Sequence, residues 1–355
     1  MKIGFDARMI QHPGIGSYTR NLLHAMQAIN DQLELCLYGN PAELTEFKNC
    51  RIQDFRARVY SVQELFFSPL TKDSLDIVHV PHFNTPYKIK TPLIITVHDL
   101  IYVKFPLSSS FVRRRVIRPL LTRTLRNANK IVAVSEHTKA DILHYFPFCE
   151  GKIEVIHEAA APMFKKIENK KLLEATRSKF RLPDEYLLFV GSIRSHKNIE
   201  RLLEAYQRLR RNGLRHRLVI VGRANPREAY LLSTIQSTDC LYLGEVASED
   251  LVALYNLATA VVIPSLYEGF GLPVLEAMTC GAPVAASSVA SLPEVAGDAA
   301  IFFDPLDAGD ISAKIFRLLN EKRLQQELQE KGFERARLFS WEHAARLTMS
   351  LYQSL

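Results

Sequence analysis

The sequence predicts an α/β protein of two Rossmann-like, doubly wound domains facing each other across a cleft. Three observations predict it. Short apolar, β-branched runs alternate with helical stretches along all 355 residues, the pattern of parallel sheets buried on both faces. Six such runs lie on each side of residue 170, which suits two sheets in tandem. Residues 161–186 are polar and lysine-rich, with Pro162 and Pro183 near the ends, as an inter-domain connector should be. The expected domains are 1–170 and 171–338, with a terminal helix over 339–355 able to pack back on the first.

In chain order, the first-half strands read KIGFDA, LELCLYG, DIVHV, LIITVHD, KIVAVS and KIEVIHE. The first runs into a loop with Gly14 and Gly16, and a helix is expected from about Tyr18. Glycines there let backbone N–H groups approach an anion at a helix N-terminus. A plain strand-to-helix turn explains them as well, and Thr19 stands where a dinucleotide fingerprint needs glycine or alanine. His79 and His82 flank Pro81 at a strand end and read as cleft lining, since no third residue has metal-ligand spacing. A later strand ends at His98-Asp99. A histidine so placed, followed by an acid, can hydrogen-bond a sugar hydroxyl or polarise a substrate; a satisfied structural histidine is the alternative.

Between Leu100 and Ser135 stand eight Lys/Arg residues and no Asp or Glu. Val112, Val116, Ile117, Leu120, Leu121 and Leu125 recur at helical spacing, while Arg113, Arg114, Arg115, Arg118 and Arg126 project elsewhere. Pro119 should kink or divide this helix. It is either a core-packed helix with a solvated basic face or a patch for anionic lipid, where each cation is worth about 1 kcal/mol. Nucleic acid is not expected, because no aromatic residues interleave with these arginines.

The second half gives YLLFVGS, RLVIVGR, CLYLGE, AVVIPS, APVAASS and AAIFFD. Beyond the first of these, Arg194 and Lys197 gather before a helix expected near Asn198, and cations beside a helix N-terminus make a site fit for a diphosphate. Beyond AVVIPS comes YEGFGLPVLEAM, residues 267–278. Gly269 and Gly271 turn the chain, Pro273 opens a helix and Gly281 ends it. N–H groups from Gly269 through Phe270 and Gly271 to Leu272 should face the cleft, with Glu268 and Glu276 eight positions apart on either side. A nucleotide sugar needs such a set: N–H groups for phosphate, one carboxylate for ribose hydroxyls, another for the sugar. The bland alternative is an acid favoured by the helix dipole plus an incidental loop acid.

Composition narrows the field. With 47% hydrophobic and 23% charged residues, the chain reads as globular and soluble. No apolar run reaches the roughly 20 residues of a membrane-spanning helix, and MKIGFDAR reads as a strand, not a leader. Five scattered cysteines without a C-x-x-C pair argue against a disulfide framework or zinc site and suit a reducing cytoplasm.

Together these motifs resemble the family-four retaining glycosyltransferases of the GT-B fold, over nearly the whole chain. The Glu-x7-Glu of EGFGLPVLEAM is the most specific match; VSEHTKADIL (134–143) and SLPEVAGDAAIFFDPLD (291–307) also resemble family sequences. The resemblance implies a nucleotide diphosphate sugar held mainly by residues 183–330, with the acceptor entering from the N-terminal domain. It implies His98 and Glu268 at the reacting sugar; Gly16, Arg194, Lys197, Gly269, Phe270, Gly271, Leu272 and Glu276 on the donor; and Gly14, Tyr18 and Asp99 on the acceptor side. No cofactor is implied and no metal, since Asp-x-Asp is missing and the cations would stabilise the leaving diphosphate.

Two departures stand out. VIHEAAAPMF replaces the usual Asn-Gly context, leaving His157 and Glu158 without an assigned role. Ser192 replaces the usual arginine, leaving Arg194 and His196 as alternative partners of Lys197. The likeness to bacterial surface-polysaccharide mannosyltransferases implies GDP-mannose as donor, a glycan or lipid-linked acceptor, and a place in the cytoplasm or on the inner face of its membrane. Arg113, Arg114, Arg115 and Arg118 would meet that membrane. Competing readings are a nucleotide-sugar epimerase of the same architecture, a non-catalytic nucleotide-sugar-binding protein, and a dinucleotide oxidoreductase, for which neither domain has the glycines.

Overall fold

The computed structural model describes residues 1–30, 33–59, 61–71, 73–105 and 111–355; the side chains of residues 111–116 lie outside the described set. Contacts divide the chain into two compact units: Met1–Glu158 with Ser340–Leu355, and Ala159–Phe339. The first break precedes the one expected after residue 170, because Asn256 ties the connector into the second unit. Its amide donates to the Lys165 carbonyl at 2.9 Å, and its Oδ1 accepts from Ile167 N at 2.7 Å.

The first unit's strands are β1 (Lys2–Asp6), β2 (Glu34–Gly39), β3 (Arg51–Asp54), β4 (Ile77–Val80), β5 (Leu93–Val97), β6 (Lys130–Ala133) and β7 (Ile153–Val155). Among the described residues they form one parallel sheet, ordered β3-β2-β1-β4-β5-β6-β7. Strands β4 and β5 are buried throughout, which is why they read as continuous apolar runs. The edge strand β3 (RIQD) has no fully buried residue and so carries no apolar run to betray it. The strand order reverses between β1 and β4, the switch point beyond whose strand ends ligands bind in such sheets.

Phe111–Asn127 passes through Pro119 as one helix, burying Ile117, Leu121 and Leu125 at a spacing of four and exposing Arg118 and Arg126. Arg113, Arg114 and Arg115 lie on it, but their side chains are outside the described set. The C-terminal helix Trp341–Gln353 is capped by Ser340, whose Oγ accepts from His343 N at 3.1 Å. It buries Trp341, Ala344, Ala345, Thr348, Leu351 and Tyr352, one stripe of helical period, against the helix Ile15–Ile29.

The second unit carries β8 (Tyr186–Val190), β9 (Arg217–Val221), β10 (Leu241–Gly244), β11 (Ala260–Ile263), β12 (Val284–Ser287) and β13 (Ala300–Phe303). They form a parallel sheet ordered β10-β9-β8-β11-β12-β13, the same winding with its switch point between β8 and β11. Among the described residues no helix is long and apolar enough to cross a membrane.

Candidate active site

In the second unit the loops leaving β8 and β11 meet at the switch point, joined by Leu266 N donating to the His196 carbonyl at 2.8 Å. Lys197 Nζ lies 2.5 Å from Glu268 Oε1, with side chains only 14% and 13% exposed. Ser265 Oγ donates to the same oxygen at 2.6 Å. Burial pushes the Glu268 carboxyl up, but the Lys197 ammonium and the Ser265 hydroxyl outweigh it and hold the group below its ordinary range. Glu268 is thus an anion at neutral pH, and it fixes where the ammonium points.

Of the two candidate partners of Lys197, Arg194 is exposed. His196 is 8% exposed, and among the described residues its Nδ1 has no hydrogen-bond partner. Burial, with the nearby Lys197 charge, pushes this imidazole down to about 4, so it is neutral. Of the two, Arg194 is therefore the one able to add a second positive charge. Asn198, given no role in the sequence reading, takes a left-handed φ of 57° and donates to the carbonyls of Pro264 at 3.0 Å and Pro305 at 2.7 Å. It pins the β8 loop to the ends of β11 and β13.

Gly271 caps the helix Leu272–Thr279 at a φ of 108°, where a Cβ would also meet Leu292 Cδ2 at 2.9 Å. Pro273 is the second helical residue, and among the described residues no side chain caps the first turn, whose N–H groups therefore point to backbone, water or ligand. Phe270 is buried edge-on against Phe339, and its carbonyl accepts from Ser291 Oγ at 2.7 Å. Its ring is thus held in the packing of the loop. One turn into the helix, Glu276 Oε2 accepts from the buried Tyr255 hydroxyl at 2.8 Å. Burial lifts its carboxyl to about 7, with the tyrosine bond working the other way.

In the first unit His98 stands just beyond β5. Its Nδ1 is 2.8 Å from Glu158 Oε1 and its Nε2 is 3.2 Å from the Pro81 carbonyl at the end of β4. Both neighbours are hydrogen-bond acceptors, and between them they fix how the ring is oriented. Glu158, left unassigned by the sequence, is the buried carboxylate that sets the ring. Asp99 Oδ1 accepts from Ile101 N at 3.0 Å, turning the chain into the next short helix.

Three residues fall elsewhere than expected. The first helix begins at Ile15, not Tyr18, which puts Gly16 and Tyr18 on its buried side. A Cβ on Gly16 would lie 2.3 Å from the Ile10 carbonyl oxygen, so this glycine permits close packing; Gly14, at a φ of 81°, caps the helix in the open. The Tyr18 hydroxyl bonds Thr96 Oγ1 at 3.0 Å, and its ring packs edge-on to His98 at 4.8 Å and to Trp341 at 5.8 Å. It stands behind His98 and offers an acceptor no surface. His79 lines no cleft either: it is fully buried, Nε2 2.9 Å from Thr96 Oγ1 and Nδ1 2.6 Å from the Tyr352 hydroxyl.

A further polar cluster escaped the sequence reading, although the DAR that ends β1 was its signal. Arg8 grips Asp6 at 2.6 and 2.9 Å, also donates to Glu64, and lies 4.4 Å over the Phe55 ring. Asn84 donates to Glu64 in turn. Asp6, Arg8, Glu64 and Asn84 line a small pocket with Pro81, the residue whose carbonyl faces His98.

Residues 13–160 match the sequence family described as Glycosyltransferase Family 4, and residues 173–335 match Glycosyl transferases group 1. O-antigen chain mannosyltransferase B of Escherichia coli is 30% identical across 100% of both chains. Sucrose-phosphate synthase from Thermosynechococcus elongatus matches with a TM-score of 0.79 at 22% identity, over 100% of this chain and 98% of that one. Anabaena Alr3699/HepE, solved in complex with UDP and glucose, matches at 0.76 and 17% over 100% of both chains. The solved structures share the GT-B fold with its two parallel-sheet domains. The full-length likeness and the two family matches extend the agreement to the sequence, and the chain belongs to glycosyltransferase family 4.

Proposed function

We propose that this glycosyltransferase moves mannose from GDP-mannose to a hydroxyl of a glycan or lipid-linked acceptor in cell-surface polysaccharide synthesis. Anomeric configuration is retained and no metal is used. The observation that carries this is the 30% identity, over the whole of both chains, to an enzyme named an O-antigen chain mannosyltransferase.

The second unit's chemistry supports it. Arg194 and Lys197, beside a helix N-terminus that no side chain caps, supply the positive charge a departing diphosphate needs. Glu276 takes the ribose hydroxyls and Glu268 the donor sugar, while His98, its ring set by Glu158, serves the transfer step from the acceptor side. The protein works in the cytoplasm, where the basic stretch with Arg113, Arg114, Arg115 and the exposed Arg118 meets anionic lipid on the inner membrane face.

A thermal-shift screen of GDP, UDP and ADP sugars tests the donor, because a ligand raises apparent stability in step with its affinity. GDP-mannose should give the largest rise, and chelators should not reduce turnover. A larger rise with a UDP or ADP sugar would remove GDP-mannose. Donor consumed without acceptor, yielding an epimer, would replace transfer with epimerisation.

A further inference from the structure

We infer, building on the membrane-facing reading above, that an exposed aromatic patch on the first unit is an apolar anchor entering an anionic bilayer. Val62, Phe66 and Phe67 are 68%, 59% and 66% exposed, and Tyr87 is 50% exposed. They form one patch. Val62 and Phe66 lie one turn apart on the short helix Val62–Phe66, the Phe66 and Tyr87 rings are 5.5 Å apart, and Tyr87 N donates to the Leu65 carbonyl at 2.6 Å. Single exposed apolar side chains are ordinary, whereas a contiguous group with a polar rim marks a docking surface.

The rim says what docks. Arg123, from the basic helix Phe111–Asn127, lies 5.2 Å over the Tyr87 ring and donates to the Thr85 and Pro86 carbonyls at 2.6 and 3.2 Å. Lys88 and Lys90, just past Tyr87, are exposed, as is Arg118 on the arginine's own helix. Farther along it, Arg126 lies 5.2 Å over Phe148, another exposed ring. Glu64, the acid on the patch's own helix, is buried with Arg8 and adds no negative charge to the surface.

An apolar face with a cationic rim complements a bilayer bearing anionic headgroups. Val62, Phe66 and Phe67 enter the layer below the phosphates, Arg118, Lys88 and Lys90 pair with the phosphates, and Tyr87 with Arg123 sits at the boundary, where amphipathic rings are favoured. A second copy of this chain would set the cationic rim against itself across a two-fold axis.

The test is co-sedimentation of the full chain with phosphatidylcholine–phosphatidylglycerol vesicles. Phe66→Ser/Phe67→Ser should lower the partition coefficient about tenfold or more, leaving a residual binding that salt removes. Arg118→Glu should weaken binding to these vesicles and not to pure phosphatidylcholine. The aromatic variant should melt at the parent temperature and keep its transfer rate on a water-soluble acceptor. Parent-like sedimentation of that variant overturns the anchor, as does failure of the parent to bind. If Arg118→Glu alone reduces binding, the electrostatic membrane reading survives and the anchor does not. If the aromatic change instead abolishes a dimer on a sizing column, the patch serves a second copy; a patch that retards nucleic acid and ignores vesicles fails equally.

Discussion

Glu276 shows how much one buried carboxyl can report. With its group lifted to about 7 by burial, it is half protonated near neutrality, while ribose hydroxyls donate best to the ionised form. Nucleotide affinity should therefore rise between about pH 6 and about pH 8, and calorimetry on Glu276→Gln should find affinity about tenfold lower and the pH dependence flattened. The same substitution should stabilise the ligand-free fold. A raised carboxyl costs nothing below the ordinary 4.5 and the full penalty above about 7, so the gain near pH 8 should approach, at most, about 3 kcal/mol in denaturant titration. Lys197→Ala has the opposite sign. It strips a nearly buried carboxylate of its cation and should cost a few kcal/mol of stability, with transfer slowed by about a hundredfold in steady-state assays. Both carboxylates and the lysine were legible as residue types after strand ends. Their pairing was not, because Lys197 and Glu268 are 71 positions apart and only the sheet order joins them. Glu158 stayed unassigned for the same reason, its partner lying 60 positions upstream.

At the scale of elements, the strands declared themselves and the helix starts did not. Each apolar run became a strand, and the half-exposed β3 was the one passed over. The first helix began earlier than its sequence suggested, since Gly14 at positive φ can cap a helix without a polar side chain. That difference rotates Tyr18 from the acceptor side to the support of His98. The C-terminal helix supplies the far end of the same support, through Trp341 on Tyr18 and Tyr352 on His79. Tyr352→Phe should leave a buried imidazole nitrogen without its partner, at about 1–3 kcal/mol in thermal melts. It should lower kcat more than it raises KM for donor, since Tyr352 and the His79 it holds both belong to the first unit.

For the whole molecule, acid should be the enemy. Burial holds His79, His82 and His196 down to about 3, 3 and 4, against an ordinary 6.5. Between those values and 6.5 the unfolded chain binds protons that the native one refuses, so stability is lost as pH falls. Glu276 pulls the other way over part of that range, one carboxyl against three imidazoles. The melting temperature should therefore be lower at about pH 5 than at about pH 7, with His196→Gln flattening the slope.

The return of the last helix to the first unit also governs how the protein can be made. His79 meets its hydroxyl partner 273 positions later, so a nascent first sheet leaves the ribosome with a fully buried position still unfinished. At about 5–20 residues per second, that gap lasts roughly 15–55 s, and the whole second unit, unbroken in sequence, is synthesised within it. A polypeptide released just before Ser340 would carry the whole second unit beside a first unit that lacks its closing helix. Translation order thus leaves the unit that is begun first to be closed last.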